Sequence, residues 1–310
     1  MTVTDPPTIH VDRPIHRSDI DYVADRAILV GPGDDALFGV AAAVIGIGHT
    51  WDADRFARFP ALRVVSRMGI GYDNVDVAAA HAAGVVVCNA PDAPTVSTAE
   101  HTIALLLALT KELPRQQARA AAGQGGPSIA TSLELDGATL GLVGLGRIAR
   151  RVAVAARALG MVVVATDPAI DAADVDGVRM VPLEVLLAMS DVVSLHAPAI
   201  PATHHLIDDV SLAAMRPGAY LVNCARGTLV DHEALEQALD TGHLAGAALD
   251  VTEPEPLLAD HPLLRRPNVI VTPHIASSTA AGRRRLFEHA LENALAVLEG
   301  RPASIVDDPR

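Results

Sequence analysis

Short runs of aliphatic residues recur along the chain, and stretches in which Ala and Leu return at helical spacing lie between many of them. Strands buried on both faces of a parallel sheet read as continuous apolar runs, so this alternation predicts βαβ units. In the first third of the chain, strands are expected over residues 27–30, 40–45, 62–65 and 85–87. Helices are expected over 54–59 and 76–83, the second closed by Gly84, since glycine accepts the left-handed backbone that ends a helix. A longer Leu- and Ala-rich helix spans 97–113 and stops at Pro114; residues 120–132, rich in Gly and Gln, read as an irregular arm. A second series then begins, with strands over 138–143, 161–165, 178–181, 191–195, 219–222, 246–249 and 269–272, and one long helix over 280–298.

At roughly 100–200 residues per domain, 310 residues make two compact domains. Half of the residues are hydrophobic but only 3% are aromatic, so aliphatic side chains must build both cores. The formal net charge of −13 argues against a nucleic acid as partner, because a phosphate backbone needs a basic surface. The one dense basic cluster, Arg283-Arg284-Arg285, reads as a solvated helix face. Cys88 and Cys224 are too few for a disulfide framework and suit a reducing compartment. The N-terminus shows no secretory pattern, and the longest apolar stretch, 103–109, is too short for a bilayer. A cytoplasmic protein with no membrane partner is expected. No metal ligand set is assigned.

Chemistry enters at Gly144-Leu145-Gly146-Arg147-Ile148-Ala149, where an aliphatic strand runs into a helix. Gly144 permits a tight turn, Gly146 lets a pyrophosphate approach the backbone, and Ala149 is small enough for close helix–sheet packing. The phosphates would sit on the free N–H groups of the helix N-terminus. A second strand leads to Asp167, 23 residues after Gly144, near the spacing of about 20 expected for a carboxylate that binds the adenosine ribose. Strand, turn, helix, strand and acid in this order predict a nucleotide-binding unit for NAD.

Three segments follow at strand ends of the same unit: Asn223-Cys224-Ala225-Arg226-Gly227, Asp250-Val251-Thr252-Glu253-Pro254-Glu255-Pro256-Leu257 and Thr272-Pro273-His274-Ile275-Ala276. Ligands of open α/β sheets bind beyond the carboxyl ends of strands, so all three can face one crevice. A guanidinium binds a substrate carboxylate with a planar fork. An imidazole exchanges a proton with a C2 hydroxyl in either direction, and a carboxylate beside it orients the ring.

With these segments in hand, the chain resembles the D-isomer-specific 2-hydroxyacid dehydrogenase family over nearly its whole length. Gly69-Ile70-Gly71-Tyr72-Asp73-Asn74-Val75-Asp76, Ala99-Glu100 and Leu195-His196-Ala197-Pro198 share in the resemblance. It implies an α/β fold of two Rossmann-like domains, parallel sheets flanked by helices, with the active site in the interdomain cleft. A discontinuous substrate domain would comprise residues 1–98 and 286–310, and an NAD-binding domain residues 99–285. By the same resemblance Arg226 binds substrate, His274 is the acid/base and Glu255 its partner. Glu253 is the rival for that last role, but the family's motif sets the glutamate directly before Pro-Leu. The resemblance also implies that the main chain of Ile70 and Gly71 receives the substrate carboxylate. Thr98, Cys224, Ala225 and Asp250, with Arg226 and His274, would line the nicotinamide side of NAD. Gly144, Gly146, Arg147, Ile148 and Asp167 would hold its phosphates and ribose, and His196 and Pro198 would flank the adenosine half. A homodimer is implied, with the crossing helix from Ser97 and the 120–132 arm as contacts.

Departures from the family pattern bear on the substrate, expected to be a small 2-hydroxy or 2-keto acid. Thr252 stands where many relatives carry Phe, and Gly46-Ile47-Gly48-His49-Thr50 holds no Arg where relatives acting on phosphorylated substrates place one. With no regulatory domain after Arg310, phosphoglycerate is not the expected substrate; His49, Trp51 and Met68 are candidates to shape a pocket for a small, mildly apolar acid. Two alternatives remain open: an NAD-sensing regulator of the corepressor type, and an NADPH-linked glyoxylate or hydroxypyruvate reductase, against which Asp167 argues.

Overall fold

The computed structural model describes residues 5–32, 41–46, 48–126, 132–301 and 303–306. The chain divides into two compact units, residues 1–94 with 278–310, and residues 95–277. Position 40 of an expected strand and residues 127–131 of the expected arm lie outside the described residues.

In the first unit the elements are β1 (Thr8–Val11), α1 (Arg17–Val23), β2 (Ile28–Val30), β3 (Ala43–Gly46), α2 (Ala53–Ala57), β4 (Val64–Arg67), α3 (Val77–Ala82), β5 (Val86–Cys88) and α10 (Ala280–Leu298). The strands form an all-parallel sheet in the order β2-β1-β3-β4-β5, one of the common doubly wound orders. Alternate side chains go to opposite faces. Ile9, Val11, Ala43 and Ile45 join Leu286, Phe287, Ala290 and Leu291 of α10 on one side. Val44, Val65 and Val87 join Phe56 of α2 and Val77 of α3 on the other. β1 and α1 escape the apolar pattern because His10 interrupts a four-residue strand and α1 carries few apolar residues.

Two expectations fail here. Trp51 is 2% exposed, its ring 5.3 Å from Phe56 and 5.1 Å from Phe59, and Met68 is also buried, so both are core residues, while His49 is exposed. The Arg283–Arg285 cluster is not simply solvated. Arg283 Nη1 reaches the buried Asp19 carboxylate of α1 at 3.1 Å, and Arg285 Nε donates to the Ala93 carbonyl at 3.1 Å. Arg284, paired with Glu288 one turn along, faces water as expected.

In the second unit the elements are α4 (Thr95–Thr110), α5 (Leu113–Ala121), β6 (Thr139–Val143), α6 (Arg147–Ala158), β7 (Val162–Thr166), β8 (Asp174–Val175), β9 (Val178–Met180), α7 (Leu183–Met189), β10 (Val192–Leu195), α8 (Asp209–Ala214), β11 (Ala219–Asn223), α9 (His232–Asp240), β12 (Leu244–Leu249) and β13 (Val269–Val271). The sheet order is β13-β12-β11-β10-β6-β7-β9-β8, parallel except for the two-residue β8. Its interior follows the dinucleotide-binding order, which reverses between β6 and β10. Leu140 and Leu142 of β6 pack with Leu106 of α4 and Ala149 and Val152 of α6. The opposite face gathers Leu186 of α7, Leu212 of α8 and Leu235 of α9. Pro114 does not merely stop a helix: it sits in the first turn of α5, where its missing N–H costs nothing. That helix runs into the segment expected to be irregular.

Phe287 is 1% exposed among aliphatic neighbours. Phe287→Ala should remove about 3–5 kcal/mol from the first unit, read as a lower urea midpoint; an unchanged midpoint would show that α10 does not carry that core.

Candidate active site

The turn after β6 is built by two glycines with different tasks. Gly144 has φ +92°, and a Cβ there would lie 2.9 Å from the His196 carbonyl carbon, so neither backbone nor space admits another residue. Its N–H donates to the Thr166 carbonyl at 2.8 Å, tying the turn to the end of β7. Gly146 caps α6, and nothing lies within 4 Å of the place its Cβ would take. The first N–H groups of α6, from Arg147 and Ile148 on, have no partner within the helix, and the macrodipole adds positive potential there. Ala149 is fully buried against the core, the close packing its size allows.

Asp167 follows β7. One carboxylate oxygen accepts the Leu145 N–H at 2.9 Å and the other the Ala169 N–H at 3.0 Å. Both bonds fix its orientation, and each oxygen keeps a lone pair for a further donor. Arg150, in the same corner, is engaged elsewhere: Nη1 pairs with Asp176 at 2.6 Å and Nε donates to the Leu145 carbonyl. His196, after β10, lies 3.0 Å from Ser194 Oγ, and burial pushes its pKa down to about 4, so it is neutral at physiological pH. Pro198 is exposed, its carbonyl accepting from Thr203 Oγ1. These groups, on the two sides of the reversal point, fit a dinucleotide: open space over a helix N-terminus, an oriented carboxylate and a neutral ring.

The ends of β11, β12 and β13, neighbours in the sheet, supply the second cluster. Asn223, fully buried, shapes the first loop: its Oδ1 accepts the Ala225 N–H at 3.0 Å and its Nδ2 donates to the Arg226 carbonyl at 2.8 Å. Gly227 then touches the next loop so closely that a Cβ would fall 2.0 Å from the Thr252 carbonyl oxygen. Arg226 is partly buried, and Nη1 donates to the Ala225 carbonyl at 2.8 Å. Thr98 is buried in the first turn of α4. Burial pushes the Cys224 thiol up to about 12, so it is no thiolate nucleophile.

His274 Nδ1 and Glu255 Oε1 are 2.6 Å apart. The hydrogen bond and charge of Glu255 raise the His274 pKa, against the opposing effects of burial and the Arg226 charge. For Glu255, burial raises the pKa, but the hydrogen bond and charge of His274, with Arg226 adding to them, bring it below the ordinary value. Arg226 is thus close enough to bias both members of the pair. Glu253 does not compete: its carboxylate turns to His205, 3.1 Å away. Ile70 and Gly71 belong to the first unit, in the loop after β4, where Asn89 Nδ2 donates to the Ile70 carbonyl at 2.9 Å.

Asp250 has a larger part than the cofactor contact expected of it. It is 1% exposed; Oδ1 accepts from Thr272 Oγ1 at 2.6 Å and the Ile275 N–H at 2.9 Å, and Oδ2 accepts the Ala276 N–H at 2.8 Å. His101 Nε2, on α4, lies 3.4 Å from the same carboxylate. The Asp250 carbonyl accepts the N–H of His274, whose φ is +51°. Sequence reasoning assigns no such supporting role to Asn223 or Thr272. Short polar side chains at strand ends are the one signal that could mark them.

Residues 103–276 match the family model of the D-isomer specific 2-hydroxyacid dehydrogenase NAD-binding domain. The chain is 41% identical over 278 residues to the D-3-phosphoglycerate dehydrogenase of Mycobacterium tuberculosis H37Rv, covering 89% of this chain and 51% of that enzyme. It therefore spans about half the length of such relatives. It is also 41% identical over 278 residues to the (S)-sulfolactate dehydrogenase of Chromohalobacter salexigens, covering 89% of each chain. The crystal structure of the TT0316 protein of Thermus thermophilus superposes with a TM-score of 0.87 at 40% identity, over 97% of this chain and all of that one. Among the described residues no helix is long and apolar enough to cross a membrane. The chain belongs to the D-isomer-specific 2-hydroxyacid dehydrogenase family, and residues 103–276 correspond to that family's NAD-binding domain.

Proposed function

We propose that the protein reduces a small 2-keto acid to the D-2-hydroxy acid, and catalyses the reverse, with Arg226 as substrate clamp and His274–Glu255 as acid/base pair. The observation that carries this is the 2.6 Å His274–Glu255 contact within the electrostatic reach of Arg226. NADH, when bound, supplies the hydride that C2 of the keto acid accepts. Arg226 pairs its planar guanidinium with the substrate carboxylate and polarises the C2 carbonyl. Glu255 accepts the Nδ1–H of His274, which fixes the tautomer and leaves Nε2 to give a proton to the carbonyl oxygen. In oxidation Nε2 takes that proton back. Gly144, Gly146, Arg147, Ile148 and Asp167 would hold the dinucleotide's phosphates and ribose, His196 and Pro198 its adenosine side, and Thr98, Cys224, Ala225 and Asp250 its nicotinamide side. The main chain of Ile70 and Gly71 is proposed to bind the substrate carboxylate as well.

The test is NADH oxidation against a panel of small 2-keto acids as a function of pH. Reduction needs charged His274, so kcat/KM should hold below its raised pKa and fall as pH rises through it. Glu255→Gln removes the charge that helps raise this pKa and leaves only a neutral acceptor, so the alkaline limb should move to lower pH, while Glu253→Gln should leave it in place. A limb unmoved by Glu255→Gln would sink the assignment, and a flat panel with NADH still binding would sink the enzyme.

The same reading extends to cofactor choice. Asp167, the proposed ribose ligand, is held in orientation by the Leu145 and Ala169 N–H groups, and Arg150 pairs with Asp176. NADH should be preferred over NADPH by at least about tenfold in kcat/KM, since a 2′-phosphate would face a like charge. Equal efficiency with both cofactors would mean that Asp167 does not meet the ribose.

We also propose a homodimer, with α4 and residues 120–132 as contacts. Leu113 is 54% exposed where α5 begins, beside this region. Light scattering should give twice 32.2 kDa; the monomer mass would refute it.

A further inference from the structure

We propose that His204, His205 and Glu253 form a binding site for a divalent transition-metal ion such as Zn2+, outside the acid/base cluster. One nitrogen from each imidazole and one carboxylate oxygen lie within 4.8 Å of one another. The two rings stack with centroids 4.0 Å apart and planes at 27°. Each imidazole meets its own oxygen: His205 Nε2 is 3.1 Å from Glu253 Oε2, and His204 Nε2 is 3.9 Å from Oε1. An ordinary ion pair would need only one of them. Donors bound tetrahedrally at about 2.0–2.1 Å from zinc stand roughly 3.3 Å apart, so this set, already within 4.8 Å, needs only a modest side-chain adjustment to close on an ion.

The backbone prepares this arrangement. His205 has φ +48°, a conformation that non-glycine residues seldom take. It is held by the His205 N–H donating to the Thr228 carbonyl at 2.8 Å and by a parallel bridge between Ile207 and Val230. The preceding turn is fixed by Thr203 Oγ1, which accepts the Ile200 N–H at 3.0 Å. Glu253 comes from the loop after β12, whose path is fixed where Gly227 presses on the Thr252 carbonyl. The three side chains are 55%, 38% and 39% exposed, so an ion can enter from solvent and a fourth position stays open to water. Two neutral imidazoles with one carboxylate suit zinc, copper or nickel; the all-oxygen sites preferred by magnesium and calcium are different.

The ion would tie together two loops, the one after β10 and the one that also carries Glu255. Adjacent histidines 48 residues from the glutamate have no ligand spacing to read, so sequence alone does not reveal the site.

The experiment is calorimetric titration of the full chain with Zn2+, alongside titration with Co2+ followed by its visible d–d absorption. One saturable equivalent should be lost or weakened at least about tenfold in His204→Ala and again in Glu253→Gln. The same equivalent should raise the Tm of the parent and not of the variants. Because His204 is exposed with ordinary backbone angles (φ −62°), its variant should keep the parent's circular dichroism. His243→Ala, elsewhere on the same unit, should leave the equivalent intact. Zn2+ affinity equal to the parent's in both folded variants, or no saturable equivalent in the parent, would overturn the proposal. None of these readouts depends on turnover, so the dehydrogenase reading can fail without affecting it.

Discussion

A buried carboxylate, Asp250, organises the end of the second sheet. It accepts the Thr272 hydroxyl and two successive N–H groups, Ile275 and Ala276, while its own carbonyl takes the N–H of His274. Each donor would cost about 1–3 kcal/mol if left buried without a partner. The left-handed backbone at His274, an expensive conformation by itself, is thereby compensated on both sides. Asp250 is best described as a positioning residue: it sets the loop from which the imidazole reaches Glu255.

A steric constraint complements this polar one. Gly227 and the Thr252 carbonyl approach so closely that the loop bearing Arg226 and the loop bearing Glu253 and Glu255 hold each other in place. Three side chains from three neighbouring strands therefore converge without relying on long flexible connections, which is how a rigid scaffold positions reacting groups to a fraction of an ångström.

Much of this was legible in the residues. The aliphatic runs marked most of the strands of both sheets within a residue or two, because strands covered on both faces have little choice of composition. The helix expected over 280–298 has those bounds. Gly144 and Gly146 lie between a strand and a helix and Asp167 follows the next strand, as their spacing predicts. What escaped was what periodicity cannot carry. β1 is short and broken by His10, and α5 begins at a proline that also reads as a stop. Trp51, a candidate to shape a substrate pocket, is a core residue packed on Phe56 and Phe59. The partners of Asp250 come from α4 and from the loop after β13, far apart in sequence, and only the fold brings them together.

The division of the chain has a kinetic side. The second unit is continuous, so all its strands exist once Ser277 has been synthesised. The first is split: Tyr22 hydrogen-bonds Glu292, 270 positions further along, and one face of its sheet is covered by Leu286, Phe287 and Leu291 of α10. During synthesis residues 1–94 must wait, with that apolar face uncovered, until the last helix arrives. Loop closure over so long a separation is slow, and exposed aliphatic strands invite association with other chains. The topology thus makes one face of the N-terminal sheet depend on a helix synthesised after the whole of the second unit.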